Sequence, residues 1–337
     1  MGTPRVSVII PATSRPELLR ACLRSLARFA PRDIPFETIV VLNEARAEVT
    51  VDPDQAPPGL QVIRSAVNLG MAGSGNRGRQ LATGELLITL HDDTEIGPGW
   101  MEALVETADT HPEAGAIGGQ VLYPDGSLQD AGMILWRDAT TSQPWVGETP
   151  PPERFDRVRA VDYCGSSALL VRTAAWDAAG GLEERFYPAY YVDVDLSMAL
   201  RQLGLVVLYQ PAAVIRHHRG ASSPLRFRQF VSARNRSWFL EKWGAALADH
   251  EPPDRSRAGI ERAMARAERF AELCRRRGPA PNAPQRESVP FDPVLQERRH
   301  RKKSRALRMA YARHRLTAFF GRVVDGLRQR LALRILN

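Results

Sequence analysis

Uninterrupted apolar runs alternate with a helical pattern in the N-terminal third of the chain. Val6–Ile10 and Thr38–Leu42 are apolar or β-branched almost throughout, and Leu86–Glu95 opens with a similar run. Such runs indicate strands buried on both faces of a parallel sheet. Pro16–Phe29 carries leucines at helical spacing, and Leu60–Ile63 indicates a further short strand. The order of strand, helix and strand predicts an α/β fold with right-handed crossovers.

The pattern changes in the middle of the chain. From Ala116 to Arg172, short apolar pieces are separated by polar loops, which suits a smaller, mixed half that could hold an acceptor substrate. Tyr187–Gly204 predicts an aromatic loop that enters a helix, Leu205–Tyr209 predicts a strand, and Phe227–Trp243 predicts a helix.

These patterns predict two parts. Residues 1–250 form an α/β domain, in which about 1–115 make one half and 116–250 the other. Residues 251–337 form a helical extension, interrupted by a proline-rich linker at 278–293.

The C-terminal extension is strongly basic, whereas the rest of the chain is mildly acidic. Residues 255–337 contain 22 Lys+Arg against 7 Asp+Glu, and residues 1–254 contain 24 against 31. Within Gln296–Ile335, apolar residues recur at intervals of three or four and line one helical face: Leu316, Phe320, Val323, Leu327 and Leu331. Such a helix lies on an anionic membrane surface, or packs its apolar stripe on the body or on a second copy of the chain.

Other compositional features narrow the class of protein. Cys22, Cys164 and Cys274 lie far apart, which argues against a disulfide framework or a zinc site and suits a reducing compartment. The sequence shows no signal peptide and no apolar run of about 18 residues. We therefore expect a cytoplasmic protein, with peripheral contact at the inner face of the membrane through its tail. Nucleic acid is not an expected partner, because no aromatic-interleaved or helix-turn-helix pattern accompanies the charge.

Two adjacent aspartates, Asp92 and Asp93, stand directly after the predicted strand that opens Leu86–Glu95. In open α/β sheets, ligands bind beyond the carboxyl ends of the strands. Mg²⁺ and Mn²⁺ take one or two carboxylates together with substrate phosphates. The alternative is that Asp93 and Thr94 cap the following helix.

The glycine-rich Asn68–Gly84 suits a phosphate or sugar neighbour, or simply a helix held close to the sheet.

Seven sequence segments, taken in their order along the chain, carry a resemblance to a known family. They are VSVIIPATSRPELLRACLRSL, NLGMAGSGNRG, TLHDDTEIGPGW, YPDGSLQDAG, GSSALLVRTAAWDAAGGLEERF, YYVDVDLSMALRQLG and RHHRGAS. From Val6 to Ser223 the chain resembles the inverting nucleotide-sugar glycosyltransferases of family two, in particular the bacterial rhamnosyltransferase-like members. The resemblance implies the GT-A fold: a Rossmann-like nucleotide-binding half with a mostly parallel sheet, and a smaller acceptor half.

The resemblance also implies roles for single residues. Asp93 matches the last acid of the DxD motif and would ligate Mg²⁺ or Mn²⁺, with His217 or His218 completing the metal site. Asp193 matches the catalytic base, and Asp195 is the fallback. The remaining residues implied on the donor side are Pro11, Asn43, Asn68, Gly70, Arg77 and Asp92.

The implied reaction moves a hexosyl or deoxyhexosyl group from a dTDP-, UDP- or GDP-linked donor to a glycan or lipid-linked acceptor, in surface polysaccharide assembly. Two positions depart from the family pattern. Val192 stands where a Glu usually precedes the base, and Leu42, followed by Asn43, stands where an acid usually meets the nucleobase. These departures keep open a non-catalytic nucleotide-sugar-binding or scaffold protein. A nucleotidyltransferase is disfavoured, because PATSRPELL is not its glycine-rich signature.

Overall fold

The computed structural model describes residues 3–12, 15–29, 31–43, 56–148, 155–218, 224–277 and 292–335, with the side chains of these ranges up to residue 315. It begins with β1 (Val6–Ala12), α1 (Pro16–Arg28), β2 (Phe36–Asn43), β3 (Leu60–Ser65), α2 (Gly70–Arg79) and β4 (Leu86–Leu90). β1 pairs in parallel with β2 and with β4, and β2 pairs in parallel with β3. The predicted parallel sheet is therefore present, with strands slightly longer than the apolar runs suggested.

Shorter strands and further helices follow. The strands are β5 (Thr94–Ile96), β6 (Ala114–Leu122), β7 (Leu128–Asp130), β8 (Ile134–Leu135), β9 (Thr141–Ser142), β10 (Arg159–Val161), β11 (Ala168–Arg172) and β12 (Val206–His217). The helices are α3 (Trp100–Thr110), α4 (Thr173–Ala179), α5 (Val192–Gln202), α6 (Leu225–Trp243), α7 (Arg257–Arg277) and α8 (Pro293–Ile335).

One sheet runs through both predicted halves of the N-terminal domain. In the described part of the chain its order is β10-β12-β6-β11-β4-β1-β2-β3, with β5 paired to β12 and β7 paired to β6. β11 joins β4 to β6 in antiparallel fashion. The mixed second half thus extends the parallel sheet at the β4 edge, and the carboxyl end of β4 lies in the interior of the sheet.

Alternating side chains of the central strands fill an apolar core on each side of the sheet. Ile9 and Leu87 are fully buried in one core cluster, and their neighbours Ile10 and Ile88 are fully buried in the other. Burying such a side chain contributes about 1.5–3 kcal/mol. Because both faces are covered, the strands cannot shift by one residue, and the loops at their carboxyl ends are held in fixed positions.

β12 extends one predicted strand and removes the alternative of a helix cap at Thr94. The predicted strand Leu205–Tyr209 is the first part of a longer strand that runs on through an irregularity between Gln210 and Val214. Its far end pairs antiparallel with β5, so His217 lies opposite Thr94. Thr94 therefore belongs to a strand and does not cap a helix; α3 begins at Trp100.

The C-terminal helices pack against the sheet domain over the described residues. α8 begins at Pro293, before the predicted Gln296, and residues 278–291 of the predicted linker lie outside the described residues. Its side chain Leu307 is buried in a cluster with Tyr187 and Val231. The predicted apolar stripe beyond residue 315 lies outside the described side chains. Within the described ranges, no helix combines the length and the apolar composition that a transmembrane span requires.

Candidate active site

Three side chains meet at the carboxyl end of β4. Asp93 follows that strand, and the pairing of β12 with β5 brings His217 beside it, with 3.1 Å between His217 Nε2 and Asp93 Oδ1. His91 lies on the other side, with 3.9 Å between its Nδ1 and the same oxygen. One ligand atom from each of the three residues lies within 4.8 Å of the others. Two imidazoles and a carboxylate thus converge on one point.

Gln129 on β7 fixes the orientation of the His217 ring. The His217 Nδ1–H donates to Gln129 Oε1 at 2.6 Å, and Gln129 Nε2 donates to the backbone carbonyl of His217 at 3.2 Å. Because Nδ1 is engaged with Gln129, Nε2, which faces Asp93, is the ring nitrogen left to bind a cation. A second partner that orients the imidazole in this way is typical of metal-bound histidines. The chemistry of the three side chains therefore fits a divalent cation.

The protonation of the cluster also suits a cation. Burial would raise the pKa of the Asp93 carboxyl, but the hydrogen bond from His217 and the charges of His91 and His217 outweigh it and lower that pKa. Burial, with repulsion from His217, lowers the pKa of His91 to about 4. Near neutral pH, Asp93 is therefore ionised and His91 is neutral, which are the forms that bind metal.

Asp193 lies in the first turn of α5, close to this cluster. The backbone N–H of Ser166 donates to Asp193 Oδ2 at 3.3 Å, and the N–H of Val194 donates to Oδ1 at 3.0 Å. The Ser166 hydroxyl lies 3.5 Å from His91 Nε2, so Ser166 contacts both the Asp193 carboxylate and the cluster of possible metal ligands. Burial raises the pKa of Asp193, and the two backbone hydrogen bonds offset this only in part. A carboxylate with a raised pKa is a stronger base.

The loop before Asp193 is held in a strained shape. Tyr190 and Tyr191 have φ values of 71° and 65°, in the left-handed region that bulky side chains rarely adopt. The amide of the buried Asn235 on α6 donates to the carbonyls of Phe186, Ala189 and Tyr190 at 2.9–3.1 Å. The surrounding structure thus maintains a conformation that would otherwise cost about 1–3 kcal/mol per residue.

Asp195 and His218, which the resemblance also implied, contact residues outside the cluster. Asp195 is buried and bound by Lys242 Nζ and by Trp243 Nε1, each at 2.7 Å, so it joins α5 to α6. His218 Nε2 lies 3.1 Å from Glu95 on the exposed side of the strand. Of the two adjacent histidines, His217 is therefore the one that faces Asp93.

The residues implied on the donor side, apart from Arg77, lie along the same edge of the sheet. Pro11 is buried in β1 and Asp92 is buried next to Asp93. Asn43, at the end of β2, accepts from the N–H of Leu69 at 2.8 Å and bonds with the Ser74 hydroxyl, so it ties the sheet to α2.

The start of α2 is built for close packing. Asn68 accepts from the N–H of Gly70 at 2.8 Å, and Gly70 has a φ of +67° beside the Pro188 carbonyl, where a Cβ would lie 2.6 Å from the oxygen. Arg77 lies further along α2, with its guanidinium 3.4 Å from the Gln80 side chain.

The sequence had given no role to His91, Gln129, Ser166 or Asn235, although the first three lie within the quoted motifs.

Comparison with known proteins identifies similar chains. Residues 7–178 match the family profile "Glycosyl transferase family 2". The O-antigen biosynthesis protein RfbC of Myxococcus xanthus is 32% identical over 230 residues, which are 66% of this chain and 18% of that protein. The N-acetylglucosaminyl-diphospho-decaprenol L-rhamnosyltransferase of Mycobacterium tuberculosis is 27% identical over 209 residues, which are 55% of this chain and 67% of that protein. The match thus spans less than a fifth of the first of these relatives.

Two solved structures share the fold. GalNAc-T7, crystallised with UDP, GalNAc and Mn²⁺, has a TM-score of 0.59 and 16% identity, covering 81% of this chain and 55% of that one. The mannosyltransferase PcManGT from Pyrobaculum calidifontis, in complex with GDP-Man and Mn²⁺, has a TM-score of 0.52 and 16% identity, covering 81% of this chain and 74% of that one. At these identities the similarity concerns the fold alone.

Proposed function

Because the chain belongs to glycosyl transferase family 2 and has the GT-A fold, we propose that it is a metal-dependent inverting glycosyltransferase. It moves a hexosyl or deoxyhexosyl group from a nucleoside diphosphate to a hydroxyl of a glycan or a lipid-linked acceptor. The observation that carries this proposal is the junction at Ser166, which touches both Asp193 and His91. A base and a cation site beside each other are what this reaction requires.

Asp93, His91 and His217 are the residues that would hold the cation. A bound divalent cation supplies Lewis acidity that stabilises the departing nucleoside diphosphate. Mg²⁺ is a hard cation that prefers oxygen ligands, whereas first-row transition metals such as Mn²⁺ also accept imidazole nitrogen. Two imidazoles beside one carboxylate therefore favour Mn²⁺ over Mg²⁺ in this chain.

Asp193 is the proposed base. It accepts the proton of the acceptor hydroxyl while that oxygen forms a bond to the anomeric carbon and the bond from that carbon to the diphosphate breaks. One displacement inverts the configuration, so a single base is sufficient. Ser166 and Val194 hold the carboxylate in place through their N–H groups, and burial gives it the raised pKa that favours proton uptake.

The names of the relatives support the choice of acceptor. One is a protein of O-antigen biosynthesis, and another is named for a diphospho-decaprenol acceptor and rhamnosyl transfer. For this chain we propose the corresponding class, a lipid-linked or polymeric glycan in surface polysaccharide assembly. The proposed donor nucleotide is dTDP, UDP or GDP. Leu42 and Asn43 replace the acid that usually contacts the nucleobase, and Asn43 is hydrogen-bonded to α2, so this position does not choose among the three.

The division of the chain remains part of the proposal. Residues 1–250 would form the catalytic domain, although its two halves share one sheet, and residues 251–337 would form the basic extension.

Nucleotide-dependent thermal stabilisation tests the proposal. The protein is heated with dTDP, UDP or GDP, in Mn²⁺, in Mg²⁺ or with chelator. A ligand at one hundred times its Kd stabilises the native state by about 2.7 kcal/mol, which corresponds to about 4 °C for a chain of this length. We expect one nucleotide to act only with metal, and more strongly with Mn²⁺.

Two variants separate the roles of the acids. Asp93→Ala should abolish the metal-dependent stabilisation, because it removes the only carboxylate of the cluster. Asp193→Asn should keep that stabilisation but stop both sugar transfer and the slow hydrolysis of the donor by water. Full activity of Asp193→Asn would remove it as the base. Binding without any turnover by the wild type would favour the non-catalytic alternative.

A further inference from the structure

A basic cleft lies between α8 and the connection from β3 to α2. Its volume is about 340 Å³, and its walls include Val67 and Asn68 on one side and Arg301, Ser304, Arg305 and Arg308 on the other. The cleft is separate from the cluster at Asp93, whose residues do not line it. Its size is sufficient for a phosphate or diphosphate group.

Packing fixes the position of the α8 wall. Lys303 Nζ lies 3.1 Å from the Glu184 carboxylate and also donates to the Glu184 carbonyl at 3.0 Å. His300 is fully buried against Gly73, where an added Cβ would lie 2.7 Å from its ring nitrogen. Leu307 is buried on Tyr187. The arginines therefore project from a docked helix, and the cleft exists before any ligand binds.

The charges in the cleft are of one sign. Arg301, Arg305 and Arg308 follow each other at intervals of four and three residues, which places them on one face of the helix. Within the described residues, Arg301 and Arg305 have no carboxylate partner, whereas Lys303 on the same helix pairs with Glu184. Like charges at this spacing repel each other, and an anion between them removes that repulsion. Guanidinium groups match the oxygens of phosphate in a bidentate way.

The cleft is also connected to the loop that precedes Asp193. Asn68 borders the cleft and accepts from the N–H of Gly70. The next residue, Met71, donates its N–H to the Pro188 carbonyl at 2.7 Å, and Pro188 belongs to the loop that leads into Asp193. A group bound in the cleft is thus connected through a few contacts to the segment that carries the proposed base.

We propose that this cleft binds a phosphate-bearing group, provided either by a soluble or acceptor-linked diphosphate or by the headgroup of an anionic lipid. Insofar as the group belongs to an acceptor, the inference rests on the proposed function. Binding to the cleft itself does not, because it requires neither Asp93 nor a metal.

The test uses the whole 337-residue chain with chelator present. Inorganic pyrophosphate binding is measured by calorimetry, and membrane binding by co-sedimentation with phosphatidylcholine vesicles, with or without an equal part of phosphatidylglycerol. The cleft variant is Arg301→Gln/Arg305→Gln/Arg308→Gln. The matched control, Arg298→Gln/Arg299→Gln/Lys302→Gln, removes the same charge from exposed positions of the same helix that do not line the cleft.

We expect the cleft variant to weaken binding of pyrophosphate, of anionic vesicles or of both by about tenfold, since the three guanidinium groups are exposed and screened. The control should change binding less than twofold. Loss in the pyrophosphate arm assigns the site to a diphosphate, and loss in the vesicle arm alone assigns it to a lipid headgroup. Equal losses in both variants, or no binding by the wild type in either arm, would overturn the proposal. Asp93→Ala should bind like the wild type, so failure of the glycosyltransferase proposal leaves this outcome unaffected.

Discussion

Replacing Gln129 by Leu tests whether the His217 ring is set up to bind metal. Gln129 is 3% exposed and makes two hydrogen bonds to His217, one to Nδ1 at 2.6 Å and one to the backbone carbonyl at 3.2 Å. Leucine has a similar volume but cannot accept from Nδ1–H. The ring then loses the partner that fixes its tautomer and its direction towards Asp93, while all three metal-type ligands remain.

The magnitude follows from what such partners contribute. Loss of an orienting hydrogen bond to a metal-bound histidine typically weakens metal binding by about 10–100-fold, or about 1.4–2.7 kcal/mol. The buried N–H of the ring and the carbonyl of His217 also lose a partner, which should lower the free energy of unfolding by about 1–3 kcal/mol. Metal affinity and stability therefore both fall, and each has to be measured separately.

The assay is Mn²⁺ binding by electron paramagnetic resonance, at a temperature where denaturant melts show each variant to be folded. Gln120→Leu is the control, because it removes a hydrogen bond from the Tyr209 hydroxyl on an adjoining strand without touching the cluster. We expect tight binding in that control and at least tenfold weaker binding in Gln129→Leu. Unchanged Mn²⁺ affinity in Gln129→Leu would refute the assignment of His217 as an oriented ligand.

Three further predictions follow from the site. Asn235→Ala leaves three loop carbonyls without their donor and should lower the unfolding free energy by about 1–3 kcal/mol in a urea titration, with turnover falling more than the binding of donor. With chelator present, the unfolded state binds more protons at His91 between pH about 6.5 and about 4, so stability should fall as the pH is lowered through this range; urea midpoints should show a smaller fall in His91→Asn. Asp195→Asn should destabilise the protein by weakening the contacts to Lys242 while leaving donor binding unchanged, whereas an equally stable variant would contradict its structural role.

Much of the fold was predictable because its signals are local. The central strands are continuous apolar runs, and such runs can be satisfied only where both faces of a sheet are covered. The order of the motifs led to family two and the GT-A fold, and the family match and the structural similarity confirm both. The place of the aspartates after β4 could also be predicted from the sequence, because the carboxyl ends of parallel strands share one edge.

Local patterns in the sequence were sufficient to predict the central strands, the family and the candidate acids of the site. Which side chains meet depends on the tertiary structure. His217 faces Asp93, and His218 faces Glu95, only because β12 pairs with β5 in one register, and successive residues of a strand point to opposite sides. Gln129 reaches His217 from 88 positions away, and α8 covers α2 from more than two hundred. Contacts between residues so distant depend on strand pairing and packing over the whole domain, and no local pattern records them.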